Sequence, residues 1–386
     1  MEKPIYLDYN ATTPVDPRVR AAMLPYLGDE FGNPSSTHAF GRSAWTAVER
    51  ARLQVADLLG CAPDEVVFTG GGSESDNLAI QGVAFANRPR GRHIVTSTIE
   101  HPAVLNTCRY LAEQHGFDVT YVGADQYGRV DPEAVLRAIR PDTLLISIMH
   151  ANNETGTIQP IEEIGGIACA AGIPFHSDAS QSIGKIPTPV GDLGVDLLTI
   201  AGHKIYAPKG IGALYVRRSV NLQPIILGGG QERGLRAGTE NVPYMVALGH
   251  SCEIAAKLLP AEGARMRSLR DRLHGILVDE LHEVQLNGHP DERLPNTLNV
   301  GFPGVIGSDL LDAVPEIAFS TGSACHPGSS TPSPVLAQMG LSTDVALGAV
   351  RLSLGRYTTE AEVDEAARHL IRGVRDLRRR FGNLKG

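Results

Sequence analysis

Val66-Val67-Phe68-Thr69-Gly70-Gly71-Gly72-Ser73-Glu74-Ser75 runs from four β-forming residues through three glycines to a hydroxyl residue and an acid. The first four read as a short buried strand. Ser73, ahead of Glu74 and Asp76, reads as the cap of an amphipathic helix reaching about Asn87. Outward from this stretch the alternation repeats. Strands are expected at His93–Thr96, Val119–Val122, Thr143–Met149, Pro174–Ser177, Leu197–Ile200 and Ala213–Val216. Helices are expected at Pro102–His115, from Asp131, and at Ile161–Ala171. Apolar strands separated by helices predict an α/β fold with a mostly parallel sheet covered on both faces.

Near residue 245 the pattern changes. One helix is expected from Pro243 towards Leu259 and a second from Ala261 to Leu281. Strand Thr297–Phe302, a short helix Ser308–Ala313, strand Val350–Ser353 and a terminal helix from Thr359 to about Phe381 follow. Two strands with flanking helices predict a smaller α+β unit, joined to the first by the helix near residue 250. The terminal helix carries Arg368, Arg372, Arg375, Arg378, Arg379 and Arg380. They form either a solvated basic face near a helix C-terminus or a dock for an acidic partner.

The 386 residues are 42% hydrophobic and 20% charged, which excludes a disordered chain. A net charge of −8 argues against broad nucleic-acid or anionic-membrane binding. Cys61, Cys108, Cys169, Cys252 and Cys325 are widely spaced, with no C-x-x-C and no Cys/His pairing at zinc spacing, so no metal site is expected. The polar N-terminus with Asp8 does not read as a signal peptide, and no apolar run approaches a membrane span, so a cytoplasmic protein is expected.

Three constellations carry chemistry. Gly70-Gly71-Gly72-Ser73 is either an anion site, with backbone N–H groups at a helix start, or a tight strand–helix turn. It is neither a Walker loop nor a dinucleotide fingerprint. Asp178 closes a buried strand, where α/β sheets bind ligands, and is either a ligand-facing carboxylate needing a cationic partner or several donors, or a helix-capping or hydrogen-bonded Asp. Lys204 follows the apolar strand before it by a few residues and is either a readily deprotonated nucleophile or a snorkelling surface lysine. Together, an anion site, a carboxylate and an amine are what pyridoxal phosphate requires.

The sequence resembles the cysteine desulfurases of the nitrogen-fixation and iron–sulfur-cluster type, class V within the fold type I pyridoxal-phosphate-dependent transferases. The landmarks are Leu7-Asp8-Tyr9-Asn10-Ala11-Thr12-Thr13-Pro14, Phe31-Gly32-Asn33-Pro34-Ser35-Ser36, Glu100-His101, Ala151-Asn152-Asn153-Glu154-Thr155-Gly156, Asp178 with Gln181, and Gly202-His203-Lys204. Gly228-Gly229-Gly230-Gln231-Glu232-Arg233, Arg236-Ala237-Gly238-Thr239-Glu240-Asn241, Gly322-Ser323-Ala324-Cys325 and Arg351-Leu352-Ser353 complete them. They span essentially the whole chain. The expected division is a large cofactor-binding α/β domain over residues 13–249 and a small α+β domain of residues 1–12 and 250–386 carrying the Cys325 loop.

The resemblance implies a role for each residue. Lys204 joins the cofactor's aldehyde and later moves the substrate Cα proton. Asp178 pairs with the ring nitrogen, Gln181 bonds the phenolic oxygen, and His101 stacks on the ring as an acid/base. Gly72, Ser73 and His203 hold the phosphate, helped by Thr239 from a neighbouring subunit of a homodimer. Asn153, also beside the cofactor, and Arg351 hold the substrate carboxylate. Cys325 accepts the sulfur of L-cysteine and passes it, as a persulfide, to an iron–sulfur scaffold or a thiolation enzyme; alanine is the other product. Cys325 lies in a Gly/Ser-rich stretch unlike core, with His326 either its base or a loop histidine of no role. The other four cysteines read as buried small hydrophobes. Ala201 departs from the family, many of whose members carry a Ser there. Ala324-Cys325-His326-Pro327 and Pro332-Ser333-Pro334 are also similar to selenocysteine lyases, which is the alternative activity.

Overall fold

The computed structural model describes residues 3–321 and 331–382. Its largest sheet has seven strands, in the spatial order Val66–Thr69, Gly212–Val216, Leu197–Ala201, Phe175–Asp178, Thr143–Ser147, His93–Ser97, Asp118–Val122. The last five run parallel to one another. Gly212–Val216 is antiparallel to both of its neighbours, so Val66–Thr69 points the same way as the other five. Their carboxyl ends therefore share one edge, and the alternation expected from sequence is present. Every residue of Val66–Thr69, His93–Ser97, Thr143–Ser147, Leu197–Ala201 and Gly212–Val216 is buried, as strands covered on both faces must be.

The helix after the first strand spans Gly72–Asn87, and its N-cap is Gly71 at φ +148°, with no side-chain cap. Ser73 is thus inside the first turn and not the cap. A serine cannot adopt that φ without strain, and glycine can. Gly212 lies directly behind this turn: a Cβ there would sit 2.5 Å from the Ile200 carbonyl oxygen and 2.8 Å from Gly71 Cα.

Val242–Glu280 is one helix of 39 residues with Pro260 inside it, where two helices are expected from sequence. Proline removes one backbone donor and disfavours a helix interior. Here the two flanks are held by separate cores. Val242, Met245, Leu248 and Cys252 pack into the core of the large sheet, against helix Ala39–Leu59. Leu269, Leu273 and Leu277 pack into a second core with Leu298, Val300, Leu352 and the terminal helix Glu360–Gly382. Ala39–Leu59 crosses the long helix closely, since a Cβ on Gly249 would come within 2.6 Å of Ala51 Cα.

The second core backs a sheet in which Thr297–Gly301 lies between Gln285–Leu286 and Ala349–Ser353, with Ser320–Thr321 on the far side of the latter. Strand Ile5–Tyr6 pairs with Ile317–Ala318, and the chain then passes back towards the large sheet. The terminal arginines are largely engaged within the chain. Arg372 pairs with Glu316 and Arg375 with Glu280, while Arg378 donates to the carbonyl oxygens of Pro303 and Glu283. Of the four described cysteines, Cys108 and Cys252 are buried and Cys61 is half-buried, but Cys169 is exposed. Ile161, Ile164, Gly165 and Ala168 form the buried stripe of helix Ile161–Ala171, and Cys169 falls just outside it. No helix among the described residues is long and apolar enough to cross a membrane.

Candidate active site

The shared carboxyl edge of the strands opens into a cavity of about 640 Å³. Thr69 leads into Gly70, Gly71, Gly72 and Ser73; Asp178 ends its strand; Ala201 leads to His203 and Lys204. His101 and Asn153 follow two further strands, and all of these residues except Thr69 line the cavity. Gln181 joins them from the turn after Asp178, and Arg351 arrives from the second sheet. Thr239 is exposed on the chain surface and outside this lining. Cys325 and His326 lie outside the described residues.

At the glycine turn, Gly70 N–H is already taken by Glu74 Oε2 at 2.8 Å, and Glu74 is held in turn by Arg236 at 2.9 Å. The first-turn N–H groups of Gly72 and Ser73 have no carbonyl one turn behind them, which suits an anion. A Cβ on Gly72 would stand 3.1 Å from Ala201 Cβ and 3.1 Å from Ser180 Oγ, so a side chain would fill this cradle. His203 stands at its side, with Nδ1 3.1 Å from Thr12 Oγ1. Burial and the neighbouring Lys204 push its imidazole down to about 4, so it is neutral at ordinary pH.

Asp178 is 7% exposed and accepts Ser180 N–H on Oδ1 at 2.8 Å. A second carboxylate, Asp76, lies beneath it at 1% exposure and also borders the cavity. Burial first, and then the charge of Asp178, push the Asp76 carboxyl well above the usual carboxylate range. Behind both, His176 bridges Ser147 Oγ at 2.8 Å and Thr199 Oγ1 at 3.0 Å, and burial pushes it down to about 4.

Lys204 Nζ donates to the carbonyl oxygens of Asn10 at 2.6 Å and Ala11 at 2.9 Å. Burial, and the Arg351 guanidinium after it, lower its pKa to about 8. His101 caps helix Pro102–His115, its Nδ1 accepting Ala103 N–H at 3.2 Å, which leaves Nε2 as the N–H. Desolvation lowers its pKa, so it is a neutral ring at the cavity mouth. Arg351 donates to Asn153 O at 3.0 Å and to Asp8 Oδ1 and Ser320 Oγ, each at 2.8 Å.

These groups fit pyridoxal phosphate. A buried carboxylate with lone pairs to spare suits a ring N–H, an easily deprotonated amine suits an aldehyde, and a helix start beside Ser73 suits a phosphate. Residues 5–366 match the aminotransferase class-V family. The cysteine desulfurase IscS of Anaeromyxobacter dehalogenans (strain 2CP-C) is 51% identical over 381 residues, covering 98% of this chain and 94% of that one. Among solved structures, a NifS-like protein superposes with a TM-score of 0.90 at 40% identity, over 96% of this chain and 98% of that one. SspA in complex with cysteine superposes at 0.81 with 43% identity, over 92% and 99%. The chain belongs to the aminotransferase class-V family, in its cysteine desulfurase branch.

The site also uses groups to which the sequence assigned no role. Asn10 is one: its backbone N–H donates to Ser353 Oγ and its carbonyl receives Lys204 and Gln181. Asp76, Ser180 and Asp8 are others. Asp76 lies four residues beyond the last glycine of the turn, and its helical position facing the strand ends is the signal that marks it.

Proposed function

We propose that the chain is a homodimeric, pyridoxal-phosphate-dependent L-cysteine desulfurase of the cytoplasm. It would feed sulfur to an acceptor protein, an iron–sulfur scaffold or a thiolation enzyme. The convergence of Lys204, Asp178 and the Gly72–Ser73 helix start on one cavity carries this reading. Exposed Thr239, together with exposed Leu227, Phe31 and Trp45, supports a second copy completing the site. The unpaired thiols of Cys61, Cys108, Cys169 and Cys252 support a reducing compartment.

Pyridoxal phosphate, when bound, supplies an aldehyde for the substrate amine and a ring that withdraws electrons from Cα. Lys204 would hold that aldehyde until substrate arrives and, with a pKa of about 8, then move the Cα proton. Asp178 would keep the ring nitrogen protonated, and Gln181 would donate to the ring oxygen. His101 would stack on the ring and relay protons near the substrate sulfur. Gly72, Ser73 and His203 would hold the phosphate with Thr239 of the partner subunit. The Arg351 fork and the Asn153 amide would hold the substrate carboxylate.

Cys325 would attack the substrate sulfur as its thiolate. An S–S bond forms as the Cβ–S bond breaks; the electron pair stays with Cβ, which takes up a proton. One cysteine and one enzyme thiol give one alanine and one persulfide, with no external oxidant or reductant.

The test is single-turnover L-cysteine with the holoenzyme, measuring alanine and protein-bound persulfide. Both are expected in equal amounts, both lost in Lys204→Ala, and both lost in Cys325→Ser with the cofactor's visible band retained. Cysteine turnover surviving Cys325→Ser, or a wild-type protein that takes up no cofactor, overturns the reading.

A further inference from the structure

Behind the cavity wall sits a second lysine that none of these steps uses. Lys185 is 8% exposed, and among the described residues no carboxylate lies within ion-pairing distance of it. Its Nζ donates to Gln181 Oε1 at 3.0 Å and to Asn10 Oδ1 at 3.2 Å. Burial first, and then the charges of Lys204 and Arg351, hold Lys185 well below the usual lysine range. On its other side, a space of about 10 Å³ is bounded by Tyr9, Tyr206, Glu262 and Arg356. Glu262 is committed to Arg356 at 2.8 Å, and the Tyr206 hydroxyl accepts Arg356 N–H at 2.6 Å.

A buried, unpaired amine is costly, so its hydrogen bonds need a purpose. A primary amide has a donor end and an acceptor end of nearly the same shape, and its neighbours decide which end faces where. By donating to Gln181 Oε1, Lys185 turns Gln181 Nε2 away from itself, towards Asn10 O at 3.0 Å and the cavity that Gln181 lines. Nε2 carries two hydrogens, and Asn10 O takes one. Lys185 orients Asn10 in the same way. Asn10 Oδ1 receives Lys185 and Asn296 Nδ2 (3.0 Å), while Asn10 Nδ2 donates to Thr297 Oγ1 at 2.9 Å and Asn153 O at 3.3 Å.

We propose that Lys185 is a positioning residue: it fixes the Gln181 amide with its N–H end towards the cavity, so that the site selects a cofactor ring bearing an oxygen acceptor at that point. This rests on the reading of the cavity as a pyridoxal-phosphate site. Without Lys185, the Gln181 carbonyl is free to face the cavity and would repel such an oxygen.

The test uses the holoenzyme and the pH midpoint at which its visible cofactor band changes. Replacing a donor by an acceptor beside the ring oxygen favours the protonated chromophore, so Lys185→Met is expected to raise the midpoint and weaken cofactor retention about tenfold. Gln181→Leu, which lacks the donor, is expected to raise the midpoint too, and adding Lys185→Met to it should move the midpoint no further. Lys185→Gln keeps a donor at similar reach and is expected at the wild-type midpoint. The inference is overturned by a wild-type midpoint in Lys185→Met, or by an equal rise when that change is made in the Gln181→Leu background. It is overturned as well by a midpoint raised in Lys185→Gln as far as in Gln181→Leu, an arm that stands even where Lys185→Met does not fold. A wild-type protein that develops no visible band with pyridoxal phosphate would instead sink the parent reading.

Discussion

The amine of Lys204 offers a quantitative test of the site. Burial and the Arg351 guanidinium lower its pKa from 10.5 to about 8, against the opposing pull of Asp178 and Asp8. Only the neutral amine attacks an aldehyde. At pH 7 a pKa of about 8 leaves roughly one amine in eleven neutral, against roughly one in 3,000 for an ordinary lysine, an advantage of about 300-fold. Capture of pyridoxal phosphate by cofactor-free protein should therefore quicken about tenfold per pH unit below pH ~8 and level off above it. Stopped-flow absorbance from about pH 6 to about pH 9.5 reads this directly. Two variants carry opposite signs. Arg351→Gln removes a neighbour that lowers the Lys204 pKa, so the midpoint should rise; Asp8→Asn removes one that raises it, so the midpoint should fall. A general loosening of the site would send both upward, towards an ordinary lysine. A wild-type midpoint near 10, or two variants moving up together, would refute the argument.

Other tests probe the frame around the site. Glu100 accepts Ser97 Oγ–H at 2.5 Å and Met149 N–H at 3.0 Å, and burial pushes its carboxyl up to about 8, so the folded protein holds a proton that the unfolded chain releases near 4.5. Its contribution is full below about 4.5 and lost as pH rises to about 8, so thermal stability should fall across that window by at most about 5 kcal/mol more than in Glu100→Gln, measured by pH-resolved unfolding. Arg52 and Glu232 form a buried bidentate pair at 2.7 and 2.8 Å; Arg52→Met or Glu232→Leu alone should cost about 3–5 kcal/mol, and the double variant much less than the sum, by urea unfolding. Gly212→Ala should cost about 1–3 kcal/mol through contact with Ile200 and Gly71, and should speed loss of pyridoxal phosphate on dialysis because the glycine turn is displaced.

The sheet was legible because its strands are covered on both faces, and such strands read as unbroken apolar runs whatever their neighbours do. Pro102–His115 and Ile161–Ala171 have the bounds expected, each ending at a glycine in the left-handed region, Gly116 and Gly172. Local rules misled where distant packing outweighed them. Pro260 is a helix breaker by propensity, yet two separate cores grip its flanks and the helix continues. Helix Ala39–Leu59 carried no expectation although Ala44, Ala47, Val48, Ala51, Val55 and Leu59 recur at helical spacing. Half of its stripe is alanine, a weak hydrophobic signal whose value is a close approach to Gly249.

The site divides the same way. Gly72, Asp178 and Lys204 stand at or just beyond strand ends, so a sequence that reveals the strands also reveals them. The roles of Asn10 and Lys185 are legible only through partners far along the chain: Asn10 bonds Gln181, Lys204, Asn296 and Thr297, the last two more than 280 residues away. That distance is functional. The groups proposed to face the cofactor come from the large sheet, but Arg351 comes from the second one, and nothing local sets the gap between them. The short segment from Asp8 to Asn10 does, with Asp8 holding Arg351 at 2.8 Å and the Asn10 carbonyl holding Lys204 at 2.6 Å. A shift of the second sheet would therefore be felt at the amine and the guanidinium together, so the groups expected to meet the substrate's two ends are registered by three consecutive residues.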